Sequence, residues 1–198
     1  MSKASWNNVN PSSGSNDGIV NVGGSIHTGR TQRVSTPAFK AVGVADQPLT
    51  VTQKAKAEFV SISDVSAGKE GGNVTVTGKS NSSKLTFALG AGDITVTLPG
   101  KYSAGGAETS NDATITGDPG ASAEFEFSLT IAVPKNETTA PKTRAINVVA
   151  AGGQSASATI SQPAGDPVLT ISPTSVTIEA DGTPVAVTVT SNTNWQVA

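Results

Sequence analysis

His27 is the only histidine in these 198 residues and cysteine is absent, so a histidine-based metal cluster, a thiolate nucleophile and a disulfide are all ruled out. His27 lies in SIHTGRTQR and is read as a strand-end surface residue rather than a general base. The acidic residues Asp17, Asp46, Asp93, Asp112, Asp118, Asp166 and Asp181 mostly neighbour Gly or Pro, where a carboxylate serves turn hydrogen bonding. They lack the D-x-D-x-D spacing of a calcium loop. Glu124 and Glu126 fall on one side of an expected strand, their side chains about 7 Å apart. That pattern reads as a solvated strand face rather than a glycosidase acid pair. GAGD (Gly90–Asp93) has neither the lysine nor the helix of a phosphate loop. NVT, NSS and NET are glycosylation sequons only in a secretory setting. No catalytic set emerges, and no cofactor is expected.

Three aromatic and two basic residues remain as candidates for contact. Tyr102, in the Gly-rich PGKYSAGG stretch, is the one aromatic expected to be free for a ligand such as a glycan. Trp6 and Trp195 are expected to fill sandwich cores, where a large aromatic buries well over 100 Å2, or to lie at an interface. Arg30 and Arg33 either contact a partner or bridge strands. With Lys3 and Lys40 against Asp17 they make the N-terminal region locally basic, which is read as protection of strand edges.

The elements that must position these residues are strands. Val and Thr abound, Gly and Pro punctuate turns, and no window carries apolar residues at helical spacing. The fold expected is all-β, built of immunoglobulin-like β-sandwich modules. The formal charge of −2 gives no reason to expect nucleic acid or anionic membrane as a partner. Met1-Ser-Lys-Ala-Ser-Trp has no apolar run behind it, which argues against Sec-type secretion and for folding in a cytoplasm.

An internal repeat sets the expected boundaries. TVTQKA (Thr50–Ala55) recurs as TISQPA (Thr159–Ala164) at an offset of 109 residues, each followed by a short linker and a new strand. GGNVTVTGKSNSS (Gly71–Ser83) returns as DGTPVAVTVTSNTN (Asp181–Asn194) with a two-residue slip. The expected organisation is a partial module over 1–55 (a closing part), a complete one over 56–164, and the opening strands of another over 165–198. Within the complete module, strands are expected at Val74–Thr77, Ile94–Leu98, Glu124–Ile131, Arg144–Val149 and Ala156–Ile160. Leu98–Ala123 is expected to add a hairpin with mobile loops. Two partial modules flanking a whole one imply completion by another copy, or a chain that continues past Ala198.

Three stretches together carry a family resemblance. These are the opening TISPTSVTIEADG…VTVTSNTNW, the middle PSSGSNDG…GRTQR and the closing TVTQKA. In this combination the chain resembles the BACON family of immunoglobulin-like modules. The middle module keeps Ser80-Asn81, Thr143-Arg144 and TISQPA but has Lys84 or Leu85 near the expected tryptophan. The resemblance implies a spacer or binding module of the kind attached to carbohydrate-active and surface proteins and to phage virion proteins. The expectation is a non-enzymatic virion structural protein, a capsid decoration or head-fibre component. It would self-associate, contact other capsid proteins, and be assembled into the virion in a host cytoplasm. A carbohydrate-binding or adhesive module contacting a host surface glycan is the alternative.

Overall fold

A chain rich in β-branched residues and broken by Gly and Pro suits short strands and tight turns. The computed structural model, which describes residues 2–198, accordingly contains strands and no helix among them. Six short strands come first: β1 (Asn7–Asn10), β2 (Asn21–Gly24), β3 (Arg33–Ser35), β4 (Ala38–Phe39), β5 (Gln47–Pro48) and β6 (Val51–Gln53). They pair as three two-stranded ribbons, β1–β2, β3–β6 and β4–β5. Nine strands follow: β7 (Val60–Ile62), β8 (Val65–Ser66), β9 (Gly72–Ser80), β10 (Leu85–Gly92), β11 (Lys101–Ala104), β12 (Ala107–Ser110), β13 (Phe125–Val133), β14 (Lys142–Ala150) and β15 (Ser155–Gln162). A last antiparallel pair joins β16 (Leu169–Ser172) to β17 (Thr188–Ser191).

The strands from β7 to β15 make a two-layer β-sandwich. One sheet has the order β10-β14-β15-β8 and the other β12-β11-β13-β9-β7. All pairings within them are antiparallel except β8 on β15. The unbroken alternation from Phe125 to Val133 dictates the core. Phe125, Phe127, Leu129, Ile131 and Val133 all face inward, while Glu126, Thr130 and Ala132 face water. Opposite them stand Ile146 and Val148 of β14 and Ile160 of β15, all fully buried. The Phe127 ring meets Phe87 edge-on at 5.6 Å.

Two sequence expectations fail here for physical reasons. Ile94–Leu98 has the alternating burial of a strand, but it forms no ladder with any strand among the described residues. Only Ile94 at its start is tied to β14: Ile94 N donates to the Thr143 carbonyl at 3.1 Å, and Arg144 Nε donates to the Ile94 carbonyl at 2.7 Å. Tyr102, expected exposed in a mobile loop, is 3% exposed in β11, its ring edge-on to Phe87 at 4.9 Å. The expected hairpin does form, β11 to β12, around Gly105-Gly106. Both glycines have positive φ, a turn conformation that disfavours side chains. Tight pairing turns Tyr102 inward, between Lys101 and Ser103.

Candidate functional site

The two junctions that flank the sandwich are built from the same hydrogen bonds. At the first, Lys56 N donates to the Gly29 carbonyl at 2.9 Å. At the second, Gly165 N donates to the Thr138 carbonyl at 2.8 Å, with donor and acceptor both 109 residues further on. An asparagine seals each. Asn81 Oδ1 accepts from Phe59 N at 3.0 Å, and its Nδ2 donates to the Ala57 and Thr28 carbonyls, both at 3.2 Å. Asn192 Oδ1 accepts from Val168 N at 2.8 Å, and its Nδ2 donates to the Asp166 and Glu137 carbonyls, both at 2.9 Å. The sequence showed this Ser-Asn pair as a repeated turn; that its amide ties three segments together is visible only in the fold.

These junctions lie at opposite ends of the sandwich. Asn81 follows Ser80, which pairs with Phe125, whereas Asn136 and Glu137 follow the far end, where Gly72 pairs with Val133. Nine residues of β9 separate them, about 26 Å at strand rise.

What each junction carries is an uncovered piece of the same architecture. At an offset of 109, β2 matches the end of β13, and β3–β6 reproduces the start of the β14–β15 ladder: Arg33↔Gln53 against Lys142↔Gln162. β16–β17 reproduces β7–β9: Leu169↔Ser191 against Val60↔Ser80. Residues that are core in the sandwich therefore stand open at the ends. Val22 is 40% exposed where Ile131 is 0%, and Val187 is 41% exposed where Val76 is 1%. Of the eighteen large apolar residues exposed among the described residues, sixteen lie outside 56–164, so the apolar surface sits almost wholly on the two end segments.

Both end segments also leave a strand edge unpaired. Ser25 N donates to the Trp6 carbonyl at 2.9 Å, which turns the amides and carbonyls of Asn21, Gly23 and Ser25 toward β1. Those of Val22 and Gly24 point to the other side, where no strand among the described residues pairs. In β17, Asn192 N donates to the Val168 carbonyl, so Thr188 and Thr190 face β16 while Val189 and Ser191, and by the same alternation Val187 just ahead of the strand, face outward. In the sandwich those two edges are joined as β13 against β9.

The candidate contact residues have defined places. Arg30 does not stand free: its guanidinium donates to the Asn81 carbonyl at 2.6 Å and pairs with Asp118, clamping the first junction. Arg33 donates to Gln53 Oε1 and the Ser25 carbonyl, both at 2.9 Å, and stacks 4.6 Å above the Trp6 ring. Both arginines are thus intrachain bridges. Trp6, expected in a sandwich core or at an interface, is half-buried under Arg33. Trp195 is 53% exposed on the C-terminal segment, outside any core. His27 is a junction residue rather than a strand-end one. Its Nε2 is 2.7 Å from the Thr31 carbonyl, as Asn136 Nδ2 is 2.8 Å from that of Ala140 one repeat later. Glu124 lies within ion-pair distance of Lys56 and Lys79, and no group of three acidic or His residues among the described residues could hold a metal.

Titration is perturbed at a few surface carboxylates. A hydrogen bond and the charge of Lys69 hold the Asp166 carboxyl below its ordinary value, and Asp166 raises Lys69 in return. Thr86 and Lys84 lower Asp112, and the Thr183 amide and hydroxyl lower Asp181. Burial pushes the Tyr102 phenol up.

No family model and no curated protein matches the chain. Among solved structures it is similar to an NMR structure of a protein from Bacteroides thetaiotaomicron. The identity is 15%, over 51% of this chain and 75% of that one, and the TM-score of 0.25 is too low to carry an argument.

Proposed function

We propose that this chain is a non-enzymatic structural protein whose immunoglobulin-type modules link copies end to end, in the manner of a virion capsid decoration or head fibre. The observation that carries the reading is the pair of uncovered apolar faces, each with an open strand edge, fixed at opposite ends of one complete sandwich. Exposed apolar edges of this kind drive strand addition when a partner is present and aggregation when none is. The split of β7 and β8 between the two sheets, with β8 parallel to β15, supports the immunoglobulin-type description. The virion setting rests on the family resemblance of the terminal segments. The glycan-binding alternative rested on Tyr102, whose ring is enclosed in the core.

The test is the solution mass of the 198-residue chain across a concentration series, by light scattering, beside a variant lacking Val168–Ala198. Concentration-dependent multimers from the full chain and monomers from the truncated one are expected. Normal assembly of the truncated protein would overturn the proposal.

A further inference from the structure

Resting on that reading, we infer which surfaces of two copies meet and in what register. The C-terminal segment of one copy inserts between the two faces of the N-terminal segment of the next, residues 183–187 just ahead of β17 pairing with Val20 and β2, and Val176-Thr177 pairing with β6. The sandwich of the same chain supplies the template.

Three observations lead to this pairing. First, the open edges are the two halves of one ladder. In the sandwich, Ile131 pairs with Val74 and Leu129 with Val76. The repeat offsets convert these into Val22 with Val185 and Val20 with Val187 of a second copy. The backbone groups involved, on Val22 and on Val187, are those that point away from β1 and β16. Second, a hydrogen-bond hub is half present at each end. Gln162 Nε2 donates to the Pro134 carbonyl at 2.8 Å and to that of Gly68 at 3.1 Å. Gln53 Nε2 makes the first of these bonds, to the Ser25 carbonyl at 2.9 Å. The second acceptor would come from the C-terminal segment, where the same turn recurs. Gly182 N donates to the Glu179 carbonyl at 2.9 Å with φ +78°, as Gly71 N donates to that of Gly68 at 2.9 Å with φ +75°. Third, the apolar faces match. Phe39, 41% exposed, occupies the place of the fully buried Val148, and Val187 that of Val76 across the same core.

A single chain is poorly placed to close on itself, because its two end segments are held about 26 Å apart by the length of β9. One surface meeting a different surface is a heterologous contact, which propagates as a fibre or closes as a ring.

The absence of cysteine makes the register directly readable. In the sandwich, Ser66 pairs with Ser161 in parallel and their hydroxyls are 3.1 Å apart. The equivalents are Thr177 and Thr52, both on exposed positions at the rim of the proposed contact. The double variant T52C/T177C, oxidised mildly, is expected to lose most of its free thiol and to run as covalent multimers without reductant. T52C alone, T177C alone and T52C/T190C are expected to form no such cross-link and to run as monomers on the same denaturing, non-reducing gel. Thr190 matches Lys79 of the opposite sheet, out of reach of Thr52. If light scattering shows multimers but T52C/T177C forms no cross-link, this register is wrong while assembly stands. If the chain is monomeric at every concentration and the thiols stay free, both the register and the proposed function fall. Monomers without free thiol would mean that the chain closes on itself, which overturns the intermolecular pairing.

Discussion

Replacing Asn81 with alanine probes the first junction where its cost can be reasoned from geometry. Asn81 is fully buried, and its amide serves Phe59 N, the Ala57 carbonyl and the Thr28 carbonyl at 3.0, 3.2 and 3.2 Å. Water has little access there, so truncation leaves one donor and two acceptors without these partners. At about 1 kcal/mol net for each hydrogen bond, the loss is about 3 kcal/mol. With a urea slope of about 1.5 kcal/mol/M, the unfolding midpoint should fall by about 2 M, with the slope unchanged. Asn192 provides the internal control, since it makes the same three bonds at the more open second junction. There water can replace the amide, and Asn192→Ala should cost about 1 kcal/mol or less at concentrations where the chain is monomeric. Far-UV circular dichroism in a urea series, with the two variants side by side, measures both. Equal small losses, or a drop below about 0.5 M for Asn81→Ala, would refute the claim that burial makes the first junction the stronger seal.

Phe127→Ala should cost about 3–5 kcal/mol by urea unfolding, since the ring is buried against Phe87 and little around it can collapse. Tyr102→Phe should change stability by less than about 1 kcal/mol, because the buried hydroxyl has no hydrogen-bond partner to lose. Gly165→Ala should loosen the C-terminal segment: a β-carbon there would lie 1.9 Å from the Asn136 carbonyl oxygen. Faster proteolysis after residue 164, at an unchanged unfolding midpoint for the sandwich, is the expected readout. The Asp166–Lys69 pair has a signed pH dependence. Asp166 is depressed on folding, so its contribution is present above the ordinary value of 3.8 and lost as pH falls through the lower folded value. Lys69 is raised, so its share is lost only as pH climbs above 10.5. A carboxyl NMR titration should place Asp166 below 3.8 and return it toward that value in Lys69→Met.

By itself, the sequence determined the fold class and most of the core. Phe125 to Val133 alternates because one sheet face is wet and the other dry, so a period of two is sufficient to assign both faces. It also held the 109-residue repeat that relates the ends to the middle. Tertiary structure decided whatever depends on what lies across a gap. Ile94–Leu98 has strand periodicity without a partner strand: its backbone meets β14 only at Ile94, whose carbonyl accepts from the Arg144 side chain where a ladder would place a backbone amide. Tyr102 turns inward because the hairpin pairs tightly, a matter of register rather than of glycine content. Arg30 clamps a junction through Asp118 and the Asn81 carbonyl, residues too distant along the chain for local spacing to connect. Periodicity reports the two faces of a single strand, whereas the direction of an unpaired edge, and so the place where another strand can add, is set only when neighbouring strands have used the other one.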